Sequence, residues 1–433
     1  MLQYILFHNQ LTRGSHLTTP TRHTVSAMLI AVLALLSAVT PLSIDMYLSA
    51  FPEMAAEFGT SAPMIQLTLT ALLIGLAVGQ LVIGPLSDRY GRRTPLLIGT
   101  LVCLLASVLC IISPSVQVLI ALRFAQGFAG AAGVVISRAI VTDRTAGAEA
   151  ARLFGVLMVI GALGPVVAPV LGGFIVADFG WRVVFVALAA LNALMLLGVV
   201  FFTPESLPRD RRRPGGLTAL WSSTATVLGN RRFVGYALAL AFAFTALFSY
   251  ISASPFVLQN IVGLSPRAYS LTFGGCAVVM AAMSALSARL VVRIAPRRLM
   301  LIGMTAMVMV TGLLLLTVTA GGVAPVPTIA LMAGFMASMG FVVANAMALA
   351  TAEVRHAAGT GSAVLGFLQY ALGAGASPLV GLAGEHSAVP MGIAMFAAAV
   401  LAAAALIAFT RGRRSEAVDT AGQAGPSVIA ATH

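Results

Sequence analysis

This chain has no lysine, 13 acidic residues and three cysteines in 433 positions. Charged residues amount to 9%, whereas a soluble chain carries about 25%. So few charges cannot coat a soluble protein of this length, and lipid must be the solvent for most of it. Without lysine there is no phosphate-cradling glycine loop ending in Lys. Cys103, Cys110 and Cys276 all lie in apolar runs and read as small core hydrophobes; Cys103 and Cys110, seven apart, share a helix face. His8, His16, His23, His356, His386 and His433 have no ligand spacing. No paired carboxylates share a helix face in the apolar runs. These absences exclude a catalytic constellation, so neither a cofactor nor a metal is expected. Met1 to Phe7 is too short for a signal h-region, and the first long run, from Ala27, is expected to be retained as a span.

What the chain does have is hydrophobic sequence, 59% of it. A helix needs about 20 apolar residues to cross the hydrocarbon core. Apolar runs between Gly, Pro and Arg punctuation predict twelve spans, at about 27–51, 63–84, 95–113, 116–138, 152–176 and 182–203, then 233–259, 268–291, 298–319, 325–350, 358–382 and 388–410. The expected architecture is an all-α integral membrane protein with 12 transmembrane helices in two six-helix pseudo-repeats. Its parts are a cytoplasmic N-terminal segment (1–26), an N-terminal half (27–203), a cytoplasmic linker (204–232), a C-terminal half (233–410) and a disordered cytoplasmic tail (411–433). The linker is rich in Arg and Pro and has room for a surface helix over Leu217 to Val227.

The net charge of +12 comes entirely from arginine. The arginines do not cluster on a soluble domain, so nucleic acid is not an expected partner. Of the 25, 22 fall in the loops and ends assigned to one side; Arg182 and Arg267 fall on the other and Arg123 lies inside a span. Basic loops stay in the cytoplasm, so both termini are expected on the cytoplasmic side of the cell membrane. An offset of 205 carries Gly91-Arg92-Arg93 onto Pro296-Arg297-Arg298, each opening a new span. The same offset carries Asp88 onto Arg293, Asp45 onto Tyr250 and Arg123 onto Thr328, so ionisable groups deep in a span occur in the first half alone.

Asp45 interrupts an uncharged run from Ala27 to Phe51. An Asp at helix centre costs roughly 2.5–3.5 kcal/mol on insertion scales, and such residues mark functional cavities. Six residues from the outer end place it roughly 9 Å deep, too far for so short a side chain to reach the headgroups. Burial in low dielectric disfavours the charged form of a carboxylic acid, so a carboxyl in that setting can alternate between neutral and charged. Arg123 lies at similar depth in the fourth span. It either pairs with Asp45 or is satisfied by backbone carbonyls and Gln126. The segment Gly84-Pro85-Leu86-Ser87-Asp88-Arg89-Tyr90-Gly91-Arg92-Arg93 is a charged turn between apolar runs. It is either a topology anchor or an inner latch, in which Asp88 pairs with basic residues at the ends of neighbouring helices and Asp143 and Arg144 join. Gly161, Gly164, Pro165, Pro169, Gly172 and Gly173 concentrate small residues and prolines in the fifth span, as close helix approach with a kink or hinge requires. Tyr47, Gln126, Tyr250, Asn345, Gln369 and Tyr370 are expected to face a cavity between the halves, because unmatched polar groups avoid lipid. The aromatic stretch Phe242 to Tyr250 is packing, lipid contact or the wall of a pocket for flat molecules.

Several of these segments resemble the major facilitator superfamily. Gly84 to Arg93 is similar to its first signature, and Arg123-Phe124-Ala125-Gln126-Gly127 to that of its fourth helix, where the resemblance implies a role for the arginine in proton transfer. Gly161 to Gly173 resembles the antiporter signature of helix five. Pro41-Leu42-Ser43-Ile44-Asp45-Met46-Tyr47-Leu48-Ser49-Ala50-Phe51-Pro52 resembles the first helix of the Bcr/CflA drug:H+ antiporters, which commonly have Pro where this chain has Ser49. Ser254-Pro255-Phe256-Val257, Asn345-Ala346-Met347-Ala348 and Ala358-Gly359-Thr360 are similar to that group as well. The resemblance implies proton-coupled multidrug efflux across the cytoplasmic membrane by a monomer whose partners are drug, protons and lipid. It leaves open a metabolite exporter or a proton-coupled importer of the same fold. A membrane-embedded enzyme is opposed by the missing catalytic cluster, and a sensor by the lack of room for a soluble domain.

Overall fold

The structure is a computed structural model and describes residues 26–212, 217–320, 323–381 and 387–410, with the side chains of residues 217–222 and 356 outside that description. The expected N-terminal segment, apart from Ser26, and the tail 411–433 lie outside the described residues, as does part of the linker. Among the described residues the chain is all helix, with 12 helices long and apolar enough to cross a membrane. The first half holds α1 (Ala27–Asp45), α2 (Ala62–Tyr90), α3 (Arg93–Ile111), α4 (Val116–Arg144), α5 (Gly147–Phe179) and α6 (Trp181–Phe202). The second holds α7 (Arg231–Phe256), α8 (Pro266–Leu290), α9 (Pro296–Ala320), α10 (Pro325–Glu353), α11 (Ala358–Ala376) and α12 (Val389–Thr410). Side-chain caps start several of them. Ser26 accepts from the Leu29 N–H at 3.1 Å, Ser115 from Val118 at 3.4 Å, and Asn230 from Arg232 and Phe233. A helix over Leu217–Leu228 occupies the linker and packs on α7 and α11.

Two boundaries differ from the sequence reading. α1 stops at Asp45, not at residue 51, and the chain continues through a short 3₁₀ turn, Leu48–Ala50, into a short helix, Phe51–Glu57. The charged turn is also mostly helix. Gly84 to Tyr90 form the last turns of α2, and the chain breaks at Gly91, whose φ of 92° stops a helix and suits glycine. Charged residues are no obstacle to a helix that has left the hydrocarbon, so polarity marked the membrane edge and not the helix end.

Within each half, glycines bring helices into backbone contact. A Cβ on Gly75 would strike the Phe124 carbonyl, one on Gly127 the Leu72 carbonyl, and one on Gly172 the Met46 carbonyl. This is the close packing that replaces hydrophobic drive inside lipid. α3, α6 and α9 turn large apolar side chains outward, among them Ile98, Leu105, Leu194, Leu197, Met309 and Leu316. The halves meet through α2 against α11 and α5 against α8. Away from the arginine-rich ends Gln66 donates to the Ser252 carbonyl at 3.1 Å, Thr70 to that of Ala374 at 3.2 Å and Gln259 to that of Ser49 at 3.1 Å, while Arg267 pairs with Asp178. Toward the arginine-rich ends the halves part, and a cavity of about 740 Å³ opens between α2, α4 and α11. The protein is therefore closed on one side and open on the basic side.

Overpacking a tight helix contact costs about 1–3 kcal/mol. Gly127→Val should lower the melting midpoint of the purified protein by several degrees or abolish its folded yield. Gly155→Ala, whose Cβ would enter open space within α5, should leave the midpoint unchanged or raise it slightly. A melting series in detergent checks both.

Candidate functional site

Asp45 is the last residue of α1 and is 4% exposed. It lies in the wall of a second cavity, about 320 Å³, between the halves at mid-depth. Thr40, Pro41 and Ile44 of α1 and Gly161 and Pro165 of α5 form one side. Phe244, Leu247, Phe248 and Ile251 of α7, Phe273 of α8, three methionines and Tyr370 form the other. Asp45 is the one charged residue of that lining, and it makes no ion pair among the described residues.

Arg123 is fully buried and does not pair with Asp45. Its Nη2 donates to the Ser43 carbonyl at 2.6 Å and its Nη1 to Gln126 Oε1 at 2.5 Å, so of the two open readings the structure holds the second. The last four carbonyls of a helix have no partner within it, and α1 ends two residues after Ser43, which frees that oxygen. The Tyr47 ring lies 4.0 Å below the guanidinium and the Phe185 ring 5.6 Å away. Gln126 is fixed in turn by its bond to Ser107 Oγ at 2.8 Å, and Asn192 of α6 donates to the same oxygen at 3.2 Å. Sequence reasoning missed Ser107 and Asn192, although Asn192 is the one amide side chain in α6.

The six polar residues expected around a cavity are not brought together. Among them Tyr370 alone lines the central cavity. Tyr47 lies under Arg123, its hydroxyl 3.3 Å from Thr68 Oγ1. Gln126 serves Arg123. Tyr250 stacks on Phe273 with centroids 5.3 Å apart and is fully buried. Asn345 bonds to Ser287 at 2.8 Å and to the Phe341 carbonyl at 2.7 Å, tying α10 to α8. Gln369 is buried. Polar groups inside lipid need a match; Tyr47, Gln126 and Asn345 find theirs on neighbouring helices and not in an open space, whereas the Tyr250 hydroxyl and Gln369 Oε1 are buried without a hydrogen-bond partner among the described residues. The pocket wall comes instead from the aromatic stretch of α7 and from Met280, Met336 and Met339.

The helix-five motif does two jobs. Gly161 and Pro165 line the cavity, while Gly164 meets Pro41, Gly172 meets α1 and Gly173 meets Ser270 of α8. Pro165 and Pro169 do not break α5, which runs unbroken from Gly147 to Phe179.

The charge cluster at the arginine-rich end is centred on Arg92, not on Asp88. Arg92 binds Asp88 at 2.5 Å, Ser87 Oγ at 2.7 Å and Asp143 of α4 at 2.9 Å. Burial alone would lower its pKa, but Asp143 and Asp88 outweigh that and hold the guanidinium charged. Asp88 pairs within its own segment and is 48% exposed. Glu205 was missed entirely. Its carboxylate accepts from the backbone N–H groups of Arg92 at 2.8 Å, Arg93 at 3.3 Å and Leu207 at 2.9 Å, capping the start of α3, and Arg212 lies 3.6 Å away. Burial pushes its pKa up, and those hydrogen bonds and Arg212 bring it below the ordinary 4.5. Arg93 donates to the Val200 carbonyl, Arg144 reaches the carbonyls of Pro204 and Glu205, and Arg89 lies over Tyr90. Every one of these bonds stays within the first half and the start of the linker that follows it. The expected latch thus ties α2, α3, α4 and the segment after α6 to one another, and its charges are satisfied without the second half.

Comparison with known proteins bears on this geometry. The Major Facilitator Superfamily profile matches residues 33–378. The chain belongs to the Major Facilitator Superfamily. It is 40% identical to an MFS-type transporter of Bacillus subtilis, YdgK, over 89% of this chain and 96% of that one. It is 30% identical to a bicyclomycin resistance protein homolog of Haemophilus influenzae over 86% and 93%, and 32% identical to a chloramphenicol resistance protein of Pseudomonas aeruginosa over 75% and 76%. These names agree with the Bcr/CflA resemblance of the first helix. A bacterial homolog of the human lysosomal transporter Spinster shares the fold with a TM-score of 0.69 at 18% identity, covering 90% of this chain and 96% of that chain. A D-xylose–proton symporter does so with 0.68 at 16%, covering 90% and 98%. As an MFS protein it is a membrane transporter and not an enzyme.

Because Arg92 is the hub, Arg92→Gln should cut transport at least tenfold in reconstituted vesicles while membrane insertion persists. Asp88→Asn, which removes one exposed arm of the cluster, should cost less. Equal losses in the two variants would return the central role to Asp88.

Proposed function

We propose that this chain exports small amphipathic drugs in exchange for protons by alternating access. The observation that carries the reading is the unpaired Asp45 carboxyl in the wall of an otherwise apolar, aromatic cavity between the halves. In the open state the drug enters from the basic side, and its flat apolar body lies against Phe244, Phe248, Phe273 and Tyr370. Asp45 releases its proton as the drug binds. After the halves rock and the drug leaves, Asp45 takes a proton from outside and the cycle resets. Arg123 holds the end of α1 through the Ser43 carbonyl, so the position of Asp45 depends on it. Proton entry down about 100 mV supplies about 2.3 kcal/mol, and a pH difference of about one unit adds about 1.4 kcal/mol. That sum supports a drug gradient of a few hundred-fold.

The orientation follows from the arginines: both termini and the linker 204–232 face the cytoplasm, and drug moves outward. A reporter fused after Arg414 should be active on the cytoplasmic side alone; activity on the other face would reverse the direction of transport proposed here.

Drug-induced proton flux in vesicles tests the proton site. Asp45→Asn should abolish it, because an amide has no proton to give, while Asp45→Glu should retain partial flux. Undiminished exchange in Asp45→Asn would remove Asp45 from the mechanism, and uptake instead of release of drug would identify an importer.

A further inference from the structure

The large inner cavity has a charge that nothing above uses. Arg138 of α4 lines it and is exposed, and it makes neither an ion pair nor a hydrogen bond among the described residues. The other ionisable residues of that lining are Asp88 and Arg92, which are bound to each other, with Arg92 also held by Asp143. Arg138 is therefore the one charge of that lining outside an ion pair among the described residues. Across from it the wall is the start of α11, Ala358 to Ala363, whose N-terminal dipole end is also positive. Its remaining polar lining, Gln80, Ser87, Thr142, Ser223, Thr360 and Ser362, carries no formal charge. Tyr370, farther along α11, lines the deeper cavity beside Asp45. Clefts with low-dielectric walls concentrate the field of a charge.

We propose that Arg138 sets the substrate class of the transporter: it disfavours permanent cations and admits neutral or anionic amphipaths. The inference rests on the drug-export reading for its biological meaning. The lone Asp45 would by itself attract cations, and a cation in its place would leave no need for a proton. Arg138 opposes that substitution from the one open side. One unit charge about 10 Å away, through an effective dielectric of about 20, changes binding by roughly tenfold.

The probe is tetraphenylphosphonium, a permanent monocation, binding to the purified full chain in detergent. Arg138→Gln should tighten its Kd about tenfold at low salt, Arg138→Glu further, and Arg138→Lys should stay within about twofold of wild type. The gain should shrink at high salt, as a screened charge effect must. In vesicles the ratio of cation to neutral-drug KM should fall in the same order. Equal affinity for the cation in wild type and Arg138→Gln, or Arg138→Lys behaving like Arg138→Gln, overturns the proposal. The binding series needs no gradient, so it stands or falls separately from proton-coupled export, which fails if no drug drives proton flux in wild-type vesicles.

Discussion

A wholly buried guanidinium must be held by something, and the way Arg123 is held governs the rest of the first half. An unpaired charge in the core costs several kcal/mol, so a buried Arg takes whatever acceptors it can reach. Here these are the Ser43 carbonyl and the Gln126 amide, with the Tyr47 ring beneath. Ser107 fixes Gln126 and also receives Asn192. One charge thereby joins the end of α1 to α3, α4 and α6. Because neutral acceptors meet the need, Asp45 is left without a counter-ion two residues beyond Ser43. Had the two charges paired, the carboxyl would be committed to its partner and poorly suited to exchange a proton with a drug.

The two halves divide the labour. Among the described residues no helix of the second half carries a charged residue away from its ends. It contributes shape instead: Phe244, Phe248 and Phe273 with Met280, Met336 and Met339. Methionine is flexible and polarisable and fills irregular spaces, which suits a wall that must receive different molecules. The rigid, charge-bearing wall and the adaptable, apolar wall belong to different bodies, so their relative motion changes what surrounds Asp45.

Much of this was legible in the sequence because lipid imposes simple rules. Twelve apolar runs of membrane length gave the helices, and Asp45 and Arg123 stood out as charges inside such runs. Which of its two open partners Arg123 takes was not legible, since a backbone carbonyl freed by a helix end leaves no mark on the residue type. Glu205 escaped for a related reason: it acts on the backbone N–H groups of Arg92, Arg93 and Leu207, which any sequence possesses. Asn345 and Tyr47 looked like pocket residues because a polar group in lipid needs a match, but the rule does not say whether a ligand or a helix provides it. Gly84 to Tyr90 looked like a turn because polarity reports on solvent and not on backbone. The break at Gly91 came from its positive φ.

On the closed side, the polar contacts between the halves are weak enough to break under the proton drive proposed above. Three uncharged side chain-to-carbonyl bonds cross between the halves there, from Gln66, Thr70 and Gln259. Each contributes about 0.5–1.5 kcal/mol net. The Arg267 pair with Asp178 is roughly half exposed on both sides, and such surface pairs contribute about 0–1 kcal/mol. Together these amount to a few kcal/mol, the scale of one proton crossing the membrane. A buried ion pair between the halves would cost about 3–5 kcal/mol to leave half-paired, and each reopening would consume the whole drive. The strong charges of this chain, around Arg92 and Arg123, are instead kept inside one half, where they hold helices together and need not break when the halves move.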